Sequence, residues 1–296
     1  MSRNVAPICL FTYNRLAETK QTVEALKNNF MAAESELFVF SDGAKNKETA
    51  SKVAEVRNYL KTLSGFKNIE IVFSEDNKGL ANSIIHGVSQ VMSKYGKVIV
   101  LEDDLVTSPN FLDFMNQALE FYKDHHKVFS ISGYTMNLSS LKKDKNDYYV
   151  GYRASSWGWA SWSKSWVDVD WEIKDYKDFS KSKTSNRIFK RGGSDMLRML
   201  KNQRNSKIDS WAIRWCYHQF KKDQLTVFPT ISKIVNIGFG KDATHTKFTS
   251  RFDTDLDSEH KVNFQFDQIL ELNPSILKEF RAKFSFIARL KDKLHL

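Results

Sequence analysis

Four short runs of apolar and β-branched residues, 5–12, 36–41, 69–74 and 97–101, are bounded by polar turn residues and read as strands. Between them, 16–30, 47–63 and 78–95 space their apolar positions as amphipathic helices do. The alternation predicts an α/β fold, a mostly parallel sheet flanked by helices. Ligands of such sheets sit outside the carboxyl ends of the strands, so the residues that follow each run are the ones to inspect. They are Thr12, Tyr13, Asn14 and Arg15; Ser41, Asp42 and Gly43; the stretch from Glu75 through Asn77 to Gly79; and Glu102, Asp103 and Asp104. Polar and acidic groups therefore gather on one rim.

From about residue 145 the alternation fades and aromatic residues crowd in, with all seven tryptophans between Trp157 and Trp215. Trp159, Trp162 and Trp166 fall at i, i+3 and i+7, which predicts one helix face, and core packing is the commoner fate of such a stripe. Trp157 and Gly158 are then the pair expected to border a binding site. A basic run between Lys174 and Lys207 reads as a solvated helical face or as a contact for an anionic partner. In the tail, Leu277, Phe280, Phe284, Ile287 and Leu294 recur near helical spacing among lysines and arginines. That pattern fits a basic amphipathic helix lying on a membrane surface, and equally one packed on the domain. The expected division is 1–145, a second half of the same domain over 146–273, and a C-terminal helix over 274–296.

With 296 residues, 41% of them hydrophobic, the chain has enough apolar material for a real core, and four prolines and twelve glycines leave no evident linker. Two cysteines exclude a disulfide framework and a cysteine-ligated metal, which suits a reducing cytoplasm. The opening apolar run is too short and too soon interrupted for a signal peptide, and no stretch approaches the length of a membrane span, so a cytoplasmic protein, at most peripheral on the inner membrane face, is expected. A formal charge of +10 adds an acidic partner: nucleic acid, an anionic membrane or a phosphorylated substrate.

The acidic triplet narrows that choice. Three adjacent carboxylates at a strand end repel one another unless a cation or hydrogen-bond donors compensate them. If the strand persists, Glu102 and Asp104 share one face and Asp103 takes the other. Capping the next helix does not explain them, because Ser108 and Pro109 supply an N-cap and a first-turn proline. Hard oxygen ligands favour Mn2+ or Mg2+, completed by waters and phosphate oxygens. Neither the glycine-rich dinucleotide signature nor the P-loop signature occurs, which disfavours dinucleotide enzymes and P-loop ATPases.

The ordered series Phe11-Thr12-Tyr13-Asn14-Arg15, Ser41-Asp42-Gly43, Asn77-Lys78-Gly79-Leu80 and Leu101-Glu102-Asp103-Asp104 resembles the nucleotide-sugar half of GT-A glycosyltransferases. The likeness is to bacterial family-2-like sugar transferases and to relatives of N-acetylglucosaminyltransferase I. It implies metal binding by Asp104, contacts of Glu102 and Asp103 with ribose and diphosphate, and a nucleotide pocket lined by Thr12, Tyr13, Asn14 and Arg15 with Asn77 and Gly79. Asp42 is placed near the base or ribose, or is simply the first residue of an Asp-Gly turn. Further on, Ile208-Asp209-Ser210-Trp211 looks like the family's Trp-Asp-Asp-Trp segment and implies Asp209 as general base. The stretch from Asn236 to His245 looks like its late loop and implies a donor contact for His245.

The activity implied is a metal-dependent hexosyl or N-acetylhexosaminyl transfer from a nucleotide diphosphate sugar, UDP favoured. The acceptor is a hydroxyl on a glycan or lipid-linked glycan, with inversion, in surface polysaccharide or glycoconjugate synthesis. A sugar-nucleotide pyrophosphorylase shares the layout and the metal, but it carries a glycine-rich loop where this chain has Thr12 to Arg15. A basic RNA- or glycan-binding protein is the reading from another class; the acidic rim speaks against nucleic acid.

Overall fold

The computed structural model describes residues 5–238, 251–259 and 261–294. The first half alternates as expected: β1 (Ile8–Thr12), α1 (Leu16–Lys27), β2 (Glu36–Ser41), α2 (Lys47–Leu60), β3 (Asn68–Phe73), α3 (Leu80–Tyr95) and β4 (Lys97–Glu102). There follow β5 (Leu105–Thr107), α4 (Phe111–Phe121), β6 (Val128–Ser132), β7 (Tyr148–Gly151) and β8 (Trp159–Trp162). Four helices come next, α5 (Tyr176–Lys181), α6 (Lys183–Phe189), α7 (Met196–Arg204) and α8 (Trp211–Lys221), then β9 (Leu225–Pro229), β10 (Ile234–Asn236), α9 (Pro274–Lys283) and α10 (Phe286–Leu294). Among the described residues no helix is long and apolar enough to cross a membrane.

Eight strands form one sheet in the order β3-β2-β1-β4-β8-β6-β9-β7, with β8 and β7 antiparallel to their neighbours. The chain leaves β1 toward β2 and β3, then returns to lay β4 on the other side of β1, so the crevice between the β1 and β4 ends is the topological switch point. Period-two alternation splits the apolar side chains between two layers. Ile8, Leu10, Leu37, Val39, Ile99 and Leu101 face a core shared with α1, α2 and α4. Cys9, Phe11, Phe38, Phe40, Val98 and Val100 face the other, shared with α3 and α8. Both halves of the chain contribute strands to this sheet, so the boundary near 145 separates two compositions within one structural unit.

Three local expectations are corrected. The tryptophan stripe is not a helix: Trp159 and Trp162 lie on β8, whose pleat sends them to opposite cores. Their burial is as expected, with Trp159 stacked on Trp166 at 5.5 Å and against Trp215 at 4.4 Å. Ser108 does not cap the next helix, whose N-cap is Asn110; its hydroxyl instead donates to Asn110 Oδ1 at 2.7 Å. The tail is two helices, because Phe284 ends α9 and the Ser285 hydroxyl accepts the Ala288 amide of α10 at 3.1 Å.

A buried histidine gives the fold a pH response. His218 on α8 is pushed down to about 4 by burial and by nearby Lys222 and Lys221, and its Nε2 is buried without a hydrogen-bond partner among the described residues. The unfolded chain takes up a proton near pH 6.5 that the folded one refuses, so this contribution is complete above that pH and is lost as pH falls toward 4. Chemical denaturation is expected to show roughly 2 kcal/mol less stability at about pH 5 than at neutral pH from this group. His218→Phe, which cannot protonate, should flatten that part of the profile; an unchanged slope would assign it elsewhere.

Candidate active site

The four loops that follow β1, β2, β3 and β4 converge on one cleft of about 530 Å³, whose lining is completed by Trp157, Asp209, Asn236 and Gly238. Thr12, Tyr13, Asn14, Arg15, Asp42, Asn77, Gly79, Glu102, Asp103 and Asp104 all line it. Phe11 and Phe40, stacked at 5.1 Å, give it an apolar floor. The first turn of α3, from Leu80 to Ser83, opens onto the cleft, and the free amides of a helix N-terminus favour an anion there. Thr12 adds a buried hydroxyl that has no hydrogen-bond partner among the described residues.

At the switch point β4 ends on Glu102, and Asp103 and Asp104 form a turn before β5. The strand therefore does not persist far enough for a two-face division of the triplet. Arg15 gathers both aspartates: its Nη2 is paired with Asp103 Oδ1 and lies 3.0 Å from Asp104 Oδ2. Asp103 also accepts the Tyr13 amide at 3.2 Å, and its backbone carbonyl accepts the Thr22 hydroxyl at 2.9 Å. Arg15 was expected in the nucleotide pocket; it lines the cleft, but its guanidinium is the internal counter-ion of the acids. Burial works against that charge, yet Asp103 and Asp104 hold it above its ordinary value. Burial pushes Glu102 up to about 8, helped by the charges of Asp104 and Asp103 and opposed by Arg15. Burial likewise raises Asp103 to about 6 against the pull of Arg15. One guanidinium does not neutralise three carboxylates.

Asp42 braces the cleft. Its Oδ1 accepts the Gly43 and Lys78 amides at 3.0 and 2.9 Å, and its Oδ2 accepts Asn77 Nδ2 and the Gly79 amide, both at 3.0 Å. The parallel neighbours β2 and β3 bring these loops side by side, and the Asp42 carboxylate ties one to the other. It is more than an Asp-Gly turn, but with four donors satisfied its first role is positioning. Asn77, which also donates to the Gly43 carbonyl at 2.8 Å, shares that role.

Gly238 lies directly against Asp104. Antiparallel pairing of β10 with β5 brings the chain after Asn236 over the acids, where the Ile237 amide donates to the Asp104 carbonyl at 2.9 Å. A side chain at Gly238 would run into the Asp104 carboxylate and stand 3.0 Å from Arg15 Nη1. The backbone thus packs directly on the Asp104 carboxylate, whose side chain stays 13% exposed on the cleft lining. No group of three or more acidic, histidine or cysteine side chains among the described residues is arranged to enclose a metal. A divalent cation fits as a guest of Asp104 with oxygens of a bound phosphate, the open arrangement Mg2+ and Mn2+ accept.

Asp209, which also lines the cleft, precedes α8, whose N-cap Ser210 accepts the Ile213 amide at 3.3 Å. The Asp209 side chain is 60% exposed and is held by Arg214 Nη2 at 3.0 Å. Arg214, nearly buried, is fixed in turn by the Ser210 and Trp171 carbonyls at 3.1 and 3.3 Å. Trp157 forms a wall of the cleft, packed edge-on to Tyr134 at 4.6 Å. Gly158 does not share that wall: it is buried behind Trp157 at φ +55°, accepting the Gly133 amide at 2.6 Å, and a Cβ would collide with Ile234. His245 lies outside the described residues. Lys45, Ser83 and Arg214 went unnoticed in the sequence; only Arg214 left a signal, an arginine five residues after a singled-out aspartate in a helix start.

The chain matches the profile of glycosyl transferase family 2 over residues 8–198, well over half its length. Solved structures similar to it include the mannosyltransferase PcManGT from Pyrobaculum calidifontis in complex with GDP-Man and Mn2+, at 13% identity and TM-score 0.40 over 56% of this chain and 49% of that one. Another is S. aureus TarS, residues 1–349, at 11% identity and TM-score 0.44 over 78% of this chain and 60% of that one. The chain therefore spans 49% and 60% of the length of these structures. No curated protein matches it.

Proposed function

Because the chain belongs to glycosyl transferase family 2, we propose that it moves a hexosyl or N-acetylhexosaminyl group from a nucleoside diphosphate sugar, UDP favoured, to a hydroxyl of a glycan or lipid-linked glycan, with inversion. The observation that carries the reading is a mismatch of charge. Asp42, Glu102, Asp103, Asp104 and Asp209 face Arg15 and Lys45 in the cleft of a chain whose formal charge is +10. A nucleic acid would meet the acidic patch of a basic protein there. A diphosphate is accepted only together with a cation, and Asp104, on the cleft lining, is the residue that holds Mn2+ or Mg2+.

The remaining roles follow from position. The apolar floor of Phe11 and Phe40 takes the base, beside Tyr13, whose hydroxyl accepts the Lys45 amide at 3.2 Å. The Thr12 hydroxyl and the first turn of α3 meet the polar part of the donor. Asp209 faces the cleft from the Trp157 side, takes the proton of the attacking hydroxyl and so makes that oxygen the nucleophile. The hydroxyl bonds to the anomeric carbon as the bond to the diphosphate breaks, and a single displacement inverts that centre. When bound, the cation neutralises charge on the departing diphosphate.

Calorimetric titration with UDP, GDP, CDP and ADP, with and without Mn2+, tests the donor side. One diphosphate is expected to bind only when Mn2+ is present. Binding of none, or binding indifferent to metal, would remove the support for this reading.

A further inference from the structure

The two tail helices differ in what they do with their apolar residues. α9 buries its own: Ile276 and Phe280 lie in the core, Phe280 against Phe228 at 5.6 Å, and Glu279 holds the Ser140 hydroxyl at 2.6 Å. α10 does not. Phe286 is 67% exposed, Ile287 66% and Leu290 43%, three large side chains adjacent on one helical face. The opposite face is pinned to the body, where Asp292 pairs with Arg251 Nε at 2.8 Å, and Arg251 donates to the Lys283 carbonyl at 3.0 Å. The one acid of α10 is thereby turned inward, and Lys291, beside Ile287 and Leu290, stays exposed. Next to this face, a groove of about 360 Å³ is lined by Leu277, Lys278, Arg281 and Ser285.

We propose that α10 and this groove form a docking surface for an anionic lipid bilayer. An apolar helix face of this size, held outward with Lys278, Arg281 and Lys291 exposed in the same tail, matches the boundary between acyl chains and acidic headgroups. Phe286, Ile287 and Leu290 enter that boundary, while Lys278, Arg281 and Lys291 meet the headgroup phosphates. A second copy of the chain would have to place the same cations against themselves across a two-fold axis, so charge favours the bilayer.

The surface is close to the cleft. Trp157 of the cleft wall touches Phe252 with centroids 5.9 Å apart, and Phe252 touches Phe284, the residue that ends α9, at 5.6 Å. Docking through α10 therefore brings the Trp157 side of the cleft toward the membrane, which suits a lipid-linked acceptor. That last step rests on the proposed transfer; the docking surface does not.

The test is co-sedimentation of the full chain with vesicles of phosphatidylcholine alone or mixed with phosphatidylglycerol. Binding is expected only to the mixed vesicles and should weaken as salt is raised. Phe286→Glu/Ile287→Glu/Leu290→Glu should abolish it, and Lys278→Gln/Arg281→Gln should weaken it about thirtyfold, at roughly fivefold for each cation removed from an anionic surface. Circular dichroism and calorimetry with UDP and Mn2+ on the same variants separate docking from folding and from donor binding. Absence of binding to mixed vesicles, or equal binding by both variants, would overturn the proposal. So would a concentration-dependent dimer, seen by analytical ultracentrifugation, that the glutamate variant dissociates, since it assigns the face to a second copy.

Discussion

Asp104→Ala is expected to eliminate the metal-dependent part of diphosphate binding while leaving the protein at least as stable as before. Asp104 is one of three crowded carboxylates served by one guanidinium, and Arg15 keeps its pair with Asp103 when Asp104 is removed. Losing the charge beside Asp103 relieves repulsion, and no buried donor is orphaned, so the melting temperature without ligand should stay level or rise. The rise in melting temperature that Mn2+ and the preferred diphosphate confer together should vanish, because a ligand that no longer binds the native state no longer stabilises it. Turnover should fall by about three orders of magnitude or more, the scale seen when charge stabilisation of a leaving group is lost. Asp104→Asn preserves the shape and should behave alike. If either variant keeps Mn2+-dependent diphosphate binding within about threefold of the parent, the cation is held elsewhere. If it melts well below the parent, the pair with Arg15 is structural first.

The site was legible in the sequence wherever a strand ended. Continuous apolar runs define β1, β2 and β4 by themselves, and the sheet topology then places Thr12 to Arg15, Asp42 and the acidic triplet on one rim without further information. Partner choice within that rim was not legible. That Arg15 turns to Asp103 and Asp104, or that Asp42 accepts three hydrogen bonds from the neighbouring loop, depends on contacts between residues up to 89 positions apart, which no local pattern encodes. The tryptophan stripe failed for a related reason. Spacing of i, i+3, i+7 satisfies a helix, but four residues of β8 followed by a tight turn satisfy it too when both faces of the strand are buried. The tail was read as one helix because its apolar spacing continues across Phe284 and Ser285; the break is made by the Ser285 hydroxyl, a cap that serine offers anywhere.

Asp209→Asn is expected to separate chemistry from binding. The exchange is isosteric, and the amide oxygen can still accept from Arg214, so the turn before α8 should hold its shape and the protein its melting temperature. In the proposed arrangement Thr12, Phe11 and the acids hold the donor and Asp209 does not. Affinity for the diphosphate with Mn2+ should therefore be unchanged. What disappears is the acceptor of the hydroxyl proton, and kcat should drop by about two to four orders of magnitude, with little change in KM for the donor. Arg214→Lys, which keeps a positive charge but loses the planar fork, should cost less in kcat than Asp209→Asn and leave donor affinity alone, as expected of a residue that acts by orienting the base. Turnover of Asp209→Asn within about threefold of the parent would place the base elsewhere. A loss of donor affinity equal to the loss of turnover would make Asp209 a binding residue, and the inverting displacement would lose its base.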